Sequence, residues 1–150
     1  MSTAKDMISA EIKTAMKSRD KERLGTLRLI KNEILKKETE KGATELDDQG
    51  LIRLLQSMKK QRLESIAAFQ QGGREELAAA EQAEIDIIVT FLPSQLDDEA
   101  LATLVDEVVA ELGVTQMKEM GKAIKEAMAR AAGQADGKRV SAAVKQRISA

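Results

Sequence analysis

Apolar residues recur at helical spacing along almost the whole sequence, and a single proline, Pro93, interrupts them. A helix buries apolar side chains that recur every three or four residues, so this pattern predicts helices rather than strands. Aromatic residues make up only 1 %, and the abundant residues, among them Ala, Leu, Glu, Lys and Arg, are mostly good helix formers. We therefore expect an all-α fold.

The periodic pattern divides into seven predicted helices, at about residues 3–19, 20–40, 48–71, 74–91, 97–112, 116–132 and 136–148. A capping box is expected at Thr3 and Asp6, and glycines such as Gly113 follow predicted helix ends. The predicted core includes the following residues: Ile8, Ile12, Ala15, Leu24, Leu27, Ile30, Ile34, Leu35, Leu51, Ile52, Leu55, Met58, Leu77, Ile85, Ile88, Phe91, Leu101, Val105, Val108, Val109, Met117, Met120, Ile124, Met128, Val140 and Val144. Met7 and Met16 are expected beside the apolar stripe of the first helix.

Pro93 also indicates where the chain divides. Proline removes a backbone donor and disfavours helix at the residue before it, and Ser94 and Asp97 are good helix caps. The boundary is therefore expected within residues 92–96, with an N-terminal helical hairpin bundle at 1–92 and a small three-helix domain at 93–150. A chain of 150 residues is long enough for two such domains.

The chain contains no Cys and no His, which excludes thiolate zinc sites, Cys nucleophiles and His-dependent triads. No signal peptide or long apolar run is visible, so we expect a cytoplasmic protein without a membrane span. Asp97, Asp98 and Glu99 resemble a Mg²⁺ site, but helix capping is the favoured interpretation. We predict no catalytic residue, metal or cofactor.

The charge of the last two predicted helices is strongly asymmetric. Residues 121–148 carry seven basic and two acidic side chains, whereas residues 84–112 carry eight acids and no base. Part of the acidic run has a structural explanation, because acids stabilise helix N-termini. The predicted binding residues are Gly121, Lys122, Lys125, Arg130, Gly137, Lys138, Arg139, Lys145 and Arg147. Residues 1–37 also carry ten bases against five acids, for which a solvated helix face is the simpler interpretation.

Clustered basic side chains typically contact phosphates. Residues 121–148 lack the aromatic side chains that stack on single-stranded bases, so structured RNA is the expected ligand, without DNA specificity. Gly121 is expected to permit close helix approach. Asp136 and Gly137 either cap a helix or present its N–H groups to a phosphate. A helical protein-interaction module without an RNA role remains the alternative.

Several sequence blocks resemble the YqeY-like family, which is related to the tail of the GatB subunit of the tRNA-dependent amidotransferase. The blocks are Leu27–Lys31, Phe91–Leu96, Met120–Lys125, Ala135–Ser141 and Val144–Lys145. Family members often carry Met in place of Ile124 and Tyr in place of Phe91. These blocks span nearly the whole chain, and the C-terminal ones are the more specific.

The resemblance implies an all-helical N-terminal domain, a three-helix tail domain and contact of residues 121–148 with tRNA. The family label is that of a carbon–nitrogen ligase with glutamine as amido-N-donor. The GatB catalytic domain has no counterpart in this chain, so we expect an accessory protein that does not catalyse alone. An aminoacyl-tRNA synthetase or amidotransferase components are the protein partners that the resemblance implies.

Overall fold

The computed structural model describes residues 4–40, 42 and 45–149. Within these residues the chain forms seven α-helices and no β-strand, so the predicted all-α fold is confirmed. The chain divides into two compact units, Met1–Leu92 and Pro93–Ala150. None of the described helices is both long enough and apolar enough to cross a membrane. The capping box predicted at Thr3 lies outside the described residues.

The first unit consists of two helical hairpins. Helices α1 (Ala4–Ser18) and α2 (Lys21–Glu40) form one, and α3 (Asp48–Gln71) and α4 (Glu75–Ile88) form the other. A 3₁₀ segment, Val89–Phe91, follows α4. Helix α2 also packs against α3 and α4. The shared core contains the following residues: Ile8, Ala15, Leu27, Ile30, Ile34, Leu51, Leu54, Leu55, Met58, Ile88 and Phe91.

The helix starts in this unit follow the local sequence. Asp20 accepts a hydrogen bond from the backbone N–H of Arg23 at 3.2 Å, and Asp47 accepts one from Gly50 at 2.7 Å. Both are N-cap bonds that satisfy otherwise unpaired helix donors. The caps therefore fix where α2 and α3 begin.

The second unit is a bundle of three helices: α5 (Asp98–Leu112), α6 (Met120–Ala131) and α7 (Gly137–Ser149), each of which packs against the other two. Asp97 caps α5 by accepting from the N–H of Ala100 at 2.7 Å. Gly113 ends α5 with a left-handed φ of 66°, a conformation that glycine adopts without steric cost. The predicted capping role of Asp97 is thus confirmed.

Five residues that we expected on the buried apolar faces are exposed. The exposed fraction is 53 % for Met16, 52 % for Leu35, 46 % for Met7 and Met117, and 37 % for Leu77. Leu54 and Thr26 are buried instead, and Thr26 donates its hydroxyl hydrogen to the carbonyl of Glu22 at 3.3 Å. These predictions were wrong because periodicity gives the direction of an apolar face but does not say how far its neighbours cover it.

Candidate nucleic-acid interface

The turn between α6 and α7 places the two basic helices next to each other. Ala132 and Gly133 adopt left-handed conformations, with φ of 47° and 87°, and end α6. Asp136 then caps α7, because its carboxylate accepts from the backbone N–H of Arg139 at 2.9 Å. The capping interpretation of Asp136 is therefore confirmed.

Small residues set the buried side of α6. Ala123, Ala127 and Ala131 are fully buried against Val140 and Val144 of α7 and the apolar side of α5. Alanine side chains let neighbouring helices approach closely, and the longer side chains of Met120, Ile124 and Met128 lie beside this row and are only partly buried. The apolar side predicted from the Met and Ile residues is thus displaced toward the alanines.

Gly121 does not serve the close helix approach that the sequence suggested. A methyl group added at this position would meet no heavy atom within 4 Å, and the residue is exposed. Gly137, at the first position of α7, is also exposed and faces open space. Both predicted binding glycines therefore leave backbone uncovered on the surface.

All three arginines of the predicted site make ion pairs with the acidic helix α5. Arg130 pairs with Glu111 and also with Glu126, one turn away on its own helix, at 3.0 Å. The hydrogen bond from Arg130 lowers the pKa of the Glu111 carboxyl below its usual value of 4.5 and raises the pKa of Arg130. These contacts connect α6 to the C-terminal end of α5.

Helix α7 is connected to α5 by the other two arginines. Arg147 donates to Asp106 at 2.7 Å. Arg139 donates to Asp98 at 3.2 Å and to the backbone carbonyl of Leu96 at 2.7 Å. The opposite charges of the acidic and basic segments therefore partly serve to form ion pairs that hold the three helices together.

The lysines of the predicted site behave differently from the arginines. Lys122 and Lys125 on α6, and Lys138 and Lys145 on α7, are all exposed. Among the ion pairs of the described residues, none involves these four ammonium groups. Lys118, which precedes α6 and is not among the predicted binding residues, is exposed in the same way. The second unit thus displays an unpaired positive surface made of lysine.

A groove of about 530 Å³ lies between α5 and α7. Leu101, Val105 and Ala143 contribute apolar surface to it, and both the Arg139–Asp98 and Arg147–Asp106 pairs lie along it. No group of three or more acidic residues that could hold a metal ion occurs within the described part of the chain. The groove is therefore an apolar channel flanked by paired charges.

Comparison with known proteins places these features in a family. Residues 5–148 match the family described as Yqey-like protein. The chain is also 37 % identical over 82 residues to "Altered inheritance of mitochondria protein 41, mitochondrial" from Pyrenophora tritici-repentis (strain Pt-1C-BFP). That alignment covers 54 % of this chain and 44 % of the relative, so the chain spans less than half the length of the relative it matches. Because the family match extends over nearly all of the sequence, the chain belongs to the YqeY-like family.

Proposed function

We propose that the chain is a tRNA-binding accessory protein that contacts folded tRNA through the exposed lysines of α6 and α7. The observation that carries this proposal is the separation of the site into paired arginines and unpaired lysines. An ammonium group without a carboxylate partner can neutralise an RNA phosphate, and the release of the cations that were condensed on that phosphate drives association.

The arginines have a secondary part in this proposal. Exposed ion pairs contribute only about 0–1 kcal/mol each, so a phosphate can compete with Asp106 for Arg147 at little cost. The exposed backbone at Gly121 and Gly137 lets an RNA strand approach α6 and α7 closely. The lysines supply the initial contact, and the arginines chiefly hold the bundle in shape.

The ligand class follows from the side chains available. The second unit contains no aromatic residue, so bases have nothing to stack on. Phosphates and 2′-hydroxyls of a structured RNA remain as the groups that lysine can contact. An aminoacyl-tRNA synthetase or amidotransferase would then be a partner through the shared tRNA, and the chain itself contributes binding without catalysis.

The test uses two variants with equal changes in charge. The tail triple replaces Lys122, Lys125 and Lys138 by Gln, and the control triple replaces Arg53, Lys60 and Arg74 by Gln. All six residues are exposed and make no ion pair in the described structure. A gel-shift assay with bulk tRNA and with double-stranded DNA compares both triples with the wild type, and a melting curve checks folding.

We expect the wild type to retard tRNA more strongly than DNA, and the tail triple to lose most of this retardation while the control triple keeps it. Equal loss in both triples would mean that only total charge matters. Equal retardation of DNA and tRNA would contradict recognition of folded RNA.

The groove between α5 and α7 favours a second candidate, a protein-interaction module without an RNA role. Its apolar floor at Leu101 and Val105 resembles a channel that accepts the apolar side of a partner helix. Ribonuclease separates the two candidates, because protein retained on the immobilised chain after treatment with ribonuclease does not depend on RNA.

A further inference from the structure

The first unit has a row of cations that its ion pairs do not use. On α2, Lys21, Gly25, Arg28, Asn32 and Lys36 recur every three or four residues, and all five are exposed. This spacing places them along one side of the helix. We call these residues the α2 row; at 1.5 Å per residue it extends over roughly 22 Å.

Most acids near the α2 row lie to one side of it or have other partners. Glu22, Glu33 and Glu40 lie roughly 80–100° around the helix from the centre of the row, at 100° per residue. Glu22 lines the same groove as Lys21 and Gly25, and Glu40 pairs with Lys37 at 3.7 Å. Glu38 accepts from Lys5 at 2.7 Å, and Glu84 of the neighbouring helix α4 accepts from Arg62 at 2.8 Å. The cations of the row make no ion pair in the described structure.

Gly25 has no packing reason to be glycine. A methyl group added there would meet no heavy atom within 4 Å. Glycine nevertheless destabilises a helix interior relative to residues with good helix propensity. The residue leaves bare backbone between Lys21 and Arg28 and lies in a groove of about 520 Å³ between α2 and α4. A partner that approaches the backbone at this point would explain it.

The sequence block Leu27–Lys31 contains both buried apolar residues and exposed cations. Leu27 and Ile30 are fully buried, so the core accounts for them. Arg28 and Lys31 are exposed and make no ion pair with the described residues, so intramolecular contacts do not account for them. The cationic half of the block is therefore available to a ligand.

We infer that the α2 row is a second surface for the phosphate backbone of folded RNA, separate from the lysines of α6 and α7. The inference rests on the proposed function, because it adds a contact to the same RNA. Three cations, an amide and exposed backbone suit phosphates and 2′-hydroxyls, and the row has no aromatic side chain for stacking. A lipid surface fits less well, because most of the apolar side of α2 is buried in the core and only Leu29 and Leu35 are exposed beside the row.

Two surfaces in one chain strengthen binding through effective concentration, so the loss of either one weakens the whole complex. The row triple replaces Lys21, Arg28 and Lys36 by Gln in the full-length chain. We expect it to bind bulk tRNA at least about tenfold more weakly than the control triple. We also expect the slope of its log affinity against log salt concentration to be less steep by about 2–3, at 0.7–0.9 per lost phosphate contact.

Gly25→Gln tests the same surface without removing a charge. Gln has a better helix propensity than Gly, so this variant is expected to melt at a higher temperature. Its side chain covers the bare backbone of the row, and we expect tRNA binding to fall several-fold. A protein that is more stable and binds less cannot owe its defect to misfolding. If Gly25→Gln and the row triple both bind tRNA as tightly as the wild type, the inference is overturned.

The experiment can refute the proposal for each of the two surfaces independently. If the tail triple loses tRNA and the row triple matches the control triple, the α2 row is only a solvated face and the proposed function stands. If the row triple alone loses binding, the α2 row is the main site and the role of the tail lysines is wrong. A wild type that does not bind tRNA, or that binds anionic vesicles through the row instead, overturns the inference.

Discussion

Arg139 on α7 donates a hydrogen bond to the backbone carbonyl of Leu96, with 2.7 Å between Nη2 and the oxygen. The two residues are 43 positions apart, so this contact connects the segment that enters α5 to the start of the last helix. Its ion pair with Asp98 adds little, since the Asp98 side chain is fully exposed. Arg139 therefore stabilises the second unit mainly through the carbonyl.

We predict that Arg139→Gln lowers the free energy of unfolding by about 1–2 kcal/mol, because a charge-assisted hydrogen bond is lost. Lys138→Gln, at the neighbouring position without a partner, should change it by less than about 0.5 kcal/mol. Urea unfolding followed by far-ultraviolet circular dichroism measures both. Equal stability of the two variants would show that the bond to Leu96 contributes nothing.

The alanine side of α6 yields a second prediction. Ala127 is fully buried, so Ala127→Leu must force side chains or backbone apart and should destabilise the chain by about 1–3 kcal/mol. Ala129 on the same helix is exposed, and Ala129→Leu should leave stability nearly unchanged. Melting temperatures of both variants check the packing, and a tolerated Leu at position 127 would contradict it.

The ion pair between Lys5 and Glu38 predicts how stability depends on pH. The hydrogen bond from Lys5, and then the backbone N–H of Leu46, lower the pKa of Glu38 below 4.5. Because the folded-state pKa is the lower one, the stabilisation is present above about pH 5 and is lost as the pH falls through the folded-state value. Lys5 behaves in the opposite sense, since its pKa is raised and its contribution is lost only at strongly basic pH.

Glu38→Gln should therefore melt at a lower temperature than the wild type near neutral pH, and the difference should shrink as the solution is acidified. Glu22→Gln on the same helix is the control, because Glu22 makes no ion pair in the described structure. A temperature difference for Glu38→Gln that stays constant from neutral to acid pH would rule out the linkage.

Much of the fold could be predicted from local patterns. All seven helices were expected within a few residues of their observed bounds, because caps such as Asp47 and Asp97 and breakers such as Gly113 act within one helical turn. Burial at the edges of the apolar faces could not be predicted. Leu35 is on the correct helix and close to the apolar face, but no element within the described part of the chain covers it.

Which basic residues form ion pairs could not be predicted from the sequence either. Arg130 and Glu111 are 19 positions apart, and Arg147 and Asp106 are 41 apart. Such pairs form only once α5, α6 and α7 have packed, so the spacing of the residues in the sequence does not predict them. The exposure of Lys122 and Lys125 on α6 could be predicted from helical periodicity, because the polar side of a helix is set by the local sequence.

The salt dependence of tRNA affinity tests the central claim most directly. Lysines that contact phosphates release counterions, so log affinity falls with log salt in proportion to the number of contacts. We predict that the tail triple has a slope that is less steep than the wild type by about 2–3, at 0.7–0.9 per contact, while the control triple keeps the wild-type slope. A tail triple with the wild-type slope would contradict the account, because the exposed lysines of α6 and α7 would then touch no phosphate.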